Sequence, residues 1–398
     1  MNGHVKTKIV VILIFLISIS LLTGESYGQG KEAKPIVFGA AISQTGGFAR
    51  GARSELHSFI LASEQINQAG GLLGRPVKLI IYDDQSKENI AVSLYRKLIY
   101  EDKVDFLLSP FGSGPTAAVT PIVEQAQIPC IAPMASDPRI WEVKREWTVQ
   151  ILANSKEYFR EGIDLAVNEL GVKTMGFIYL DSAMQVSIVK ETLKYLAEKY
   201  PNIKTVLDAR FPIGQEDYTS LLAKANAAKA DALFGGGYLP QSMEVVKAAK
   251  SVGYHPKAIE VVFGPDPLFG EGLGKNAEGV LSTSGWEFGM PTPGSDEFAK
   301  GYRQRWNEEP YYDMAACYAA FNLFAEAIRK VGSLDKKAIR DYLFKVKTTT
   351  VYGEYAVNEN GGQIAKKMLT IQWQGGKKQI LMPKGLRTAS PIPLWGGK

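Results

Sequence analysis

Two serines, Ser113 and Ser136, lie in turns rich in small residues, each just after a short apolar segment. Residues 104–108 and 128–132 are predicted to be buried strands, with a helix over residues 116–126 between them. In an open parallel sheet both turns fall at the carboxyl ends of neighbouring strands, where such folds bind ligands. Hydroxyls and free backbone N–H groups at that edge suit a small carboxylate. Ordinary strand-to-helix loops have the same composition, so the two turns alone leave both interpretations open.

Residues that could carry catalytic or metal chemistry are few. The sequence lacks the G-x-S-x-G, H-E-x-x-H and P-loop motifs, and no G-x-G-x-x-G follows the first predicted strand. His57 and His255 have no recognisable nucleophile as a partner. Asp83 and Asp84 end a predicted strand, where a turn role is favoured over an acid pair or a Mg²⁺ site. We therefore expect no enzyme activity, no cofactor and no metal site.

Composition places the chain among soluble globular proteins. Its 398 residues suffice for two lobes, and it is 45% hydrophobic and 22% charged. The net charge of +5 is dispersed without a basic tract, so no nucleic-acid partner is expected. We also expect a monomer. Cys130 and Cys317 fall in a predicted strand and helix, which favours buried free thiols and leaves a disulfide between them open.

The first 28 residues have the pattern of a secretory signal peptide. Lys6 and Lys8 precede an uncharged apolar segment over residues 9–22, and small or polar residues lead to a cleavage site after Gly28. The apolar segment is shorter than the roughly 20 residues that span a bilayer, so an uncleaved anchor is the less favoured alternative. No cysteine lies near the cleavage site. We expect a periplasmic protein without a lipid anchor.

After the signal, predicted strands and helices alternate twice, which indicates an α/β fold with two doubly wound parallel-sheet lobes. Gly-rich strand ends occur at corresponding places in both lobes, so two facing lobes would form a cleft. The predicted N-terminal lobe comprises residues 29–153 plus about 290–350. The C-terminal lobe comprises residues 154–289 plus about 351–382, and residues 383–398 form a tail.

The sequence resembles the periplasmic branched-chain amino-acid (Leu/Ile/Val) binding proteins that serve ABC importers. The resemblance covers the chain from Pro35 to about Leu381. It implies a type I periplasmic-binding fold, with two lobes joined by a three-segment hinge, a ligand trapped by closure of the lobes, and a membrane permease as partner. The segments that carry it are residues 43–47, 66–71 with Gly74, 82–84, 128–129 and 132–133, 236–238 and 264–266.

The resemblance also implies roles for individual residues. Ser113 and Ser136 would hold the α-carboxylate of an amino acid, and the backbone carbonyl of Met134 would accept from its ammonium group. Tyr238 and Asp266 of the second lobe would complete the ammonium site. Asp266 stands where the family typically has Glu, and the shorter side chain retracts the carboxylate by about one methylene.

The expected side-chain pocket departs from the family. Gly51 and Met184 stand where better-known members have aromatic residues, which predicts a larger pocket with a pliable apolar wall. We therefore expect an amino acid or close analogue with a larger apolar or aromatic side chain. A small carboxylate or amide without an amino group, an exported sensor subunit, and an enzyme on the same scaffold remain alternatives.

Overall fold

The computed structural model describes residues 33–396, and the predicted signal peptide lies outside them. The first lobe is built on a five-stranded parallel sheet in the order β2-β1-β3-β4-β5. Apolar, β-branched segments form these strands, and the helices between them cover the sheet. Its elements are β1 (Ile36–Ala41), α1 (Ala49–Gln68), β2 (Val77–Tyr82), α2 (Glu88–Arg96), β3 (Phe106–Leu108), α3 (Ser113–Ala126), β4 (Cys130–Ala132) and β5 (Thr148–Gln150).

The second lobe repeats the alternation. Its strands β6 to β10 run parallel, and its helices follow the strands in turn. The elements are α4 (Arg160–Asn168), β6 (Thr174–Leu180), α5 (Ala183–Lys199), β7 (Lys204–Phe211), α6 (Thr219–Ala227), β8 (Ala232–Gly236), α7 (Leu239–Ser251), β9 (Ala258–Val261), α8 (Pro267–Leu273) and β10 (Leu281–Ser284).

The chain then returns to the first lobe before it completes the second. The remaining elements are α9 (Ser295–Trp306), α10 (Tyr312–Val331), α11 (Lys336–Lys345), β11 (Thr348–Thr350), β12 (Gly353–Tyr355), β13 (Leu369–Gln374) and β14 (Lys377–Met382). Helices α9 and α10 pack on α1, and the ring of Phe321 lies 4.7 Å from that of Phe38 in β1. Strands β13 and β14 join the second sheet antiparallel, which gives the order β14-β13-β10-β9-β8-β6-β7.

The segment just after the boundary predicted near residue 351 contacts the first lobe. Residues 353–363 pack against the first lobe, where the N–H of Gln150 donates to the carbonyl of Gly361 at 2.8 Å. The N–H of Gln363 in turn donates to Oε1 of Gln150 at 2.9 Å. These hydrogen bonds connect residues 361–363 to β5, so the chain remains beside the first lobe as far as Gln363. The pattern of strand residues in the sequence does not reveal such contacts.

Tyr352 lies where the crossing segments meet. Its hydroxyl is 3.5 Å from the N–H of Ala153, which leads out of the first lobe. Gly285, which leads back after β10, faces the same ring so closely that a Cβ there would lie 2.3 Å from the Tyr352 hydroxyl. Any side chain at position 285 would therefore push the crossing segments apart.

Candidate functional site

Ser113 and Ser136 lie together at the carboxyl edge of the first sheet, as the two turns predict. Ser113 is the first residue of α3, and its Oγ accepts the N–H groups of Ser136 at 3.1 Å and Asp137 at 3.2 Å. The helix begins three residues earlier than predicted, because Gly112 adopts a φ of 96° that turns the chain into it. Ser136 Oγ is buried and has no hydrogen-bond partner. The Tyr158 hydroxyl lies close to it, and neither Ser113 nor Ser136 is among the residues that line the cavity beside these turns.

Met134 contributes to the same edge through its backbone. Its carbonyl accepts the N–H of Gly112 at 3.1 Å, which ties the two turns together. A carbonyl oxygen has two lone pairs, so one remains for a further donor. The part of the site formed by the first lobe therefore presents hydroxyls, backbone N–H groups and one carbonyl at a single edge.

The two lobes enclose a small cavity beside these turns. Its volume is about 10 Å³, room for roughly one water molecule, so a ligand enters only when the lobes separate or shift. The wall is mainly apolar and aromatic, and it includes three tyrosines and one carboxyl group. The lining residues are Phe111, Gly112, Met134, Leu152, Tyr158, Met184, Tyr238, Phe263, Tyr312 and Asp313.

Two of the predicted ligand residues from the second lobe line this cavity. Met184 is the second residue of α5, and Tyr238 immediately precedes α7. The Tyr238 ring packs against Phe48 of the first lobe at 5.5 Å and Phe263 of the second at 5.4 Å. Burial raises the pKa of Tyr238 to about 12, so its hydroxyl stays protonated and can donate a hydrogen bond.

The structure does not provide the enlarged pocket expected from Gly51. A Cβ at Gly51 would lie 2.4 Å from the Phe111 ring, so that ring already occupies the space left by the missing side chain. Gly51 thus accommodates Phe111, and Phe111 lines the cavity instead. Sequence analysis missed this exchange because the two residues are distant along the chain.

Asp266 has a partner in the first lobe. Nη2 of Arg50 donates to Asp266 Oδ2 at 2.8 Å and Oδ1 at 3.0 Å, and the aspartate side chain is 4% exposed. Oδ1 also accepts the N–H of Leu268 and so caps α8. The carboxylate is thus held at the cleft by a cation of this chain. Its binding to a ligand ammonium group remains a prediction.

Asp313 is a cavity residue that sequence analysis did not single out. It lies in the first turn of α10 and is fully buried. Neither carboxylate oxygen makes a hydrogen bond of standard geometry, and the hydroxyls of Tyr311 and Tyr312 lie nearby. Burial, reinforced by the charge of Asp266, raises the pKa of Asp313 to about 8, while the Tyr312 and Tyr311 hydroxyls oppose this rise. An acid near a helix start usually only complements the helix dipole, so its sequence position gave no signal of a site.

The other titratable residues considered have structural roles here. His57 stacks on Trp306 with ring centroids 3.7 Å apart, and Asp84 accepts from Ser43 Oγ at 2.5 Å and the N–H of Ser86 at 2.9 Å. Cys130 and Cys317 are free and buried, which answers the open question of a disulfide. Among residues 33–396 no cluster of acids, histidines and cysteines is arranged to hold a metal ion.

Two lobes closing over a polar edge define a ligand-binding protein of the two-lobed type. The model of the periplasmic binding protein family matches residues 35–378. The chain belongs to the periplasmic binding protein family. Within residues 33–396 no helix has the length and hydropathy that crossing a membrane requires.

Two relatives described as amino-acid binders are distant in sequence but cover most of the chain. The Leu/Ile/Val-binding protein homolog 7 of Brucella abortus (strain 2308) is 25% identical over 343 residues, 81% of this chain and 85% of that protein. The amino acid binding protein of Pseudomonas aeruginosa is 23% identical over 350 residues, 87% of this chain and 92% of that protein.

Solved structures share the fold over nearly the same length. The branched-chain amino acid transporter substrate binding protein of Streptococcus pneumoniae, in complex with isoleucine, has a TM-score of 0.78 at 23% identity, covering 88% of this chain and all (100%) of that chain. A solute binding protein from R. palustris in complex with benzoate has a TM-score of 0.77 at 17% identity, covering 87% and 95%. Both confirm the expected α/β fold with two parallel-sheet lobes.

Proposed function

We propose that the protein captures an amino acid or close analogue in the cleft between its lobes and delivers it to the membrane permease of an ABC transporter. The observation that carries the proposal is the unpaired, buried Ser136 hydroxyl beside Ser113, at the edge where the lobes meet. The relatives described as amino-acid binders support the ligand class. No bond of the ligand is made or broken in this proposal.

The α-carboxylate would be held by Ser136 and Ser113 with the backbone N–H groups beside them. Uncharged donors suit this task because they stabilise the charge of the carboxylate through hydrogen bonds. No ion pair then has to be broken when the ligand is released. Met134 and Tyr238 line the same cavity, and the Met134 carbonyl and the Tyr238 hydroxyl would contact the rest of the polar end. The apolar wall, including Met184, would take a side chain of larger apolar or aromatic type.

Asp266 is the ammonium acceptor that the family resemblance suggests. For that role, its pair with Arg50 must be exchanged for, or shared with, the ligand. Closure of the lobes brings Tyr238 and Asp266 toward the first lobe, so the closed form differs in surface from the open one. The permease would recognise this closed form.

Export through the predicted signal peptide, in a form without a lipid anchor, completes the proposal. We propose that the protein acts as a monomer, with the permease as its protein partner. In this proposal, each of the two lobes consists of one of the two larger sheets together with the helices that pack on it. An exported sensor subunit would use the same site and differ only in its partner.

A second candidate ligand class is a small aromatic carboxylate without an amino group. Two observations favour it: the cavity wall is rich in aromatic side chains, and Asp266 is already paired with Arg50. The benzoate complex of the R. palustris protein shows that this fold accommodates such a ligand in another chain.

Native mass spectrometry of the exported, purified protein tests the proposal. A stoichiometric amino acid, released on denaturation and displaced by an excess of the same compound, is the expected result. A stoichiometric acid without an amino group would replace it with the second candidate. For a ligand-free preparation, isothermal titration with amino acids and aromatic acids decides between the same outcomes.

A further inference from the structure

Asp313 is an acid in the cavity wall. Among the described contacts, no cationic side chain pairs with it. It is fully buried, and it shares the wall with Met134 and Tyr238. Its nearest polar neighbours are the uncharged hydroxyls of Tyr311 and Tyr312, and neither oxygen makes a hydrogen bond of standard geometry. An unpaired buried carboxyl group is costly unless a partner arrives. The other buried side chains of α10 are alanine, aromatic, aliphatic and sulfur-containing residues, so Asp313 is the one acid among them.

Asp266 differs from Asp313 in this respect. Arg50 already contacts both oxygens of Asp266, so an ammonium group placed there would meet a neutralised pair rather than a free anion. Tyr311 interacts electrostatically with both acids, and its hydroxyl lies 3.1 Å from Ser54 Oγ. Asp266 thus joins the two lobes through Arg50, whereas Asp313 lines the cavity.

We propose that Asp313 binds a positively charged nitrogen of the ligand, while the Arg50–Asp266 pair holds the lobes together. This inference rests on the proposed function and names the residue that recognises the ligand's cation. The nitrogen is either the α-ammonium group or an amine on the side chain, since both offer the same N–H donors to a carboxylate. The Met134 carbonyl and Tyr238 hydroxyl in the same wall would take the remaining donors.

The charge environment of Asp313 makes binding sensitive to pH. Its carboxyl group must ionise to pair with a cation, so below its pKa of about 8 ligand binding releases one proton. Other titratable and charged groups surround Asp313, and they are the same in the wild type and in the Asp313 variant. They are Glu55 and Arg50 of α1, Asp266 before α8, Tyr158 before α4, Tyr352 at the crossing, and Tyr311, Tyr312 and Cys317 beside it in sequence or on α10.

Isothermal titration of the mature chain tests the inference with four probes: leucine, lysine, Nα-acetyl-lysine and 4-methylpentanoate. The variants are Asp313→Asn and Asp266→Asn, with Glu260→Gln as matched control. Glu260 is also a fully buried acid with an unpartnered oxygen, but it lies in β9 against Thr370, outside the cavity lining. Thermal melting verifies that each variant folds.

We expect Asp313→Asn to weaken binding of every amine-bearing probe that the wild type binds by about 100-fold, and Glu260→Gln to leave it unchanged. Loss of leucine binding identifies the α-ammonium group, and loss confined to lysine and Nα-acetyl-lysine identifies the side-chain amine. In the wild type, the affinity for these probes should rise about tenfold per pH unit from pH 6 toward pH 8. This measurement tests the inference without any substitution.

Unchanged amine binding in Asp313→Asn, together with a loss in Asp266→Asn, would overturn the inference and leave the proposed function intact. Equal wild-type affinity for leucine and 4-methylpentanoate, without a pH slope, would also overturn it. Failure of every amine-bearing amino acid to bind the wild type would instead refute the proposed function, and the inference with it.

Discussion

Nη2 of Arg50 in α1 contacts both carboxylate oxygens of Asp266 at the start of α8, at 2.8 and 3.0 Å. The two residues are 216 positions apart in sequence and belong to different lobes. The pair therefore connects the lobes directly at the cleft. Arg50 is 40% exposed, so solvent weakens the interaction, and a pair of this kind contributes about 1 kcal/mol.

Arg50→Gln is expected to open the ligand-free protein. Loss of about 1 kcal/mol from the closed form changes the ratio of closed to open molecules about fivefold. Small-angle X-ray scattering should show a larger radius of gyration in the variant. Arg305→Gln is the matched control, because Arg305 pairs with Glu64 within the first lobe at 2.9 Å. Equal radii for the two variants would contradict a role of Arg50 in closure.

Ser136→Ala should weaken binding of a carboxylate ligand by about tenfold or more. The Ser136 hydroxyl is buried without a partner, so its removal costs the free protein little, whereas a hydrogen bond to a charged group contributes about 1.5–3 kcal/mol. Titration calorimetry measures the affinity and thermal melting the stability. Ser63→Ala serves as control, since its hydroxyl only donates to the Ile60 carbonyl within α1. An unaltered affinity in Ser136→Ala would exclude this carboxylate site.

Tyr238→Phe should reduce ligand affinity about fivefold, while Tyr238→Ala should reduce it much further. The hydroxyl stays protonated because the pKa of Tyr238 is raised to about 12, and a neutral hydrogen bond contributes about 1 kcal/mol. The ring also packs between Phe48 and Phe263, which the alanine variant loses. Titration of both variants separates the two contributions. Equal losses would show that the hydroxyl, and not the ring, accounts for the contribution of Tyr238 to ligand affinity.

Asp313→Asn should stabilise the ligand-free protein at pH 8 more than at pH 5. The folded-state pKa of about 8 lies above the ordinary value of 3.8, so the folded state binds the proton more tightly than the unfolded state. Stability conferred by the protonated group is therefore fully present below about pH 4 and is lost as pH rises toward 8.

Melting temperatures at the two pH values measure this effect. We expect the gain in Asp313→Asn at pH 8 to be roughly 5 °C or more. Glu359→Gln, which changes an exposed acid, controls for the general effect of net charge. A gain that is independent of pH would show that Asp313 titrates normally.

Lys366→Met should remove a second pH dependence of stability, of opposite sign. Lys366 is buried over the Tyr352 ring at 4.6 Å, and burial lowers its pKa from 10.5 to about 7, although Glu354 opposes the shift. The unfolded state thus binds more protons between pH 7 and 10.5, and stability rises with pH across that window. Denaturant unfolding at pH 6 and 9 measures it.

The neighbouring residue provides the control for this experiment. Lys367 is exposed and pairs with Glu157 at 3.0 Å, so Lys367→Met removes the same charge without removing a buried amine. We expect the pH slope to persist in Lys367→Met and to diminish in Lys366→Met. A slope retained by both variants would assign it to other groups.

The sequence by itself determined the order of strands and helices and the parallel sheets of the two lobes. It also placed Ser113 and Ser136 at one sheet edge. These inferences succeed because the hydrophobic period and the turn residues act over a few positions, and because consecutive parallel strands must end on the same side. The boundary predicted near residue 351 did not anticipate the contacts of Gln150 with Gly361 and Gln363, since these contacts are long-range.

Only the tertiary structure decided which side chains meet across the cleft. Phe111 fills the space beside Gly51, Arg50 engages Asp266, and Asp313 faces the cavity without a partner. Each fact depends on how two lobes, joined by three crossings, close on one another and on which rotamers then fit. Sequence spacing does not encode such contacts, because the partners lie far apart along the chain and the closing geometry is set by the packing of the whole molecule.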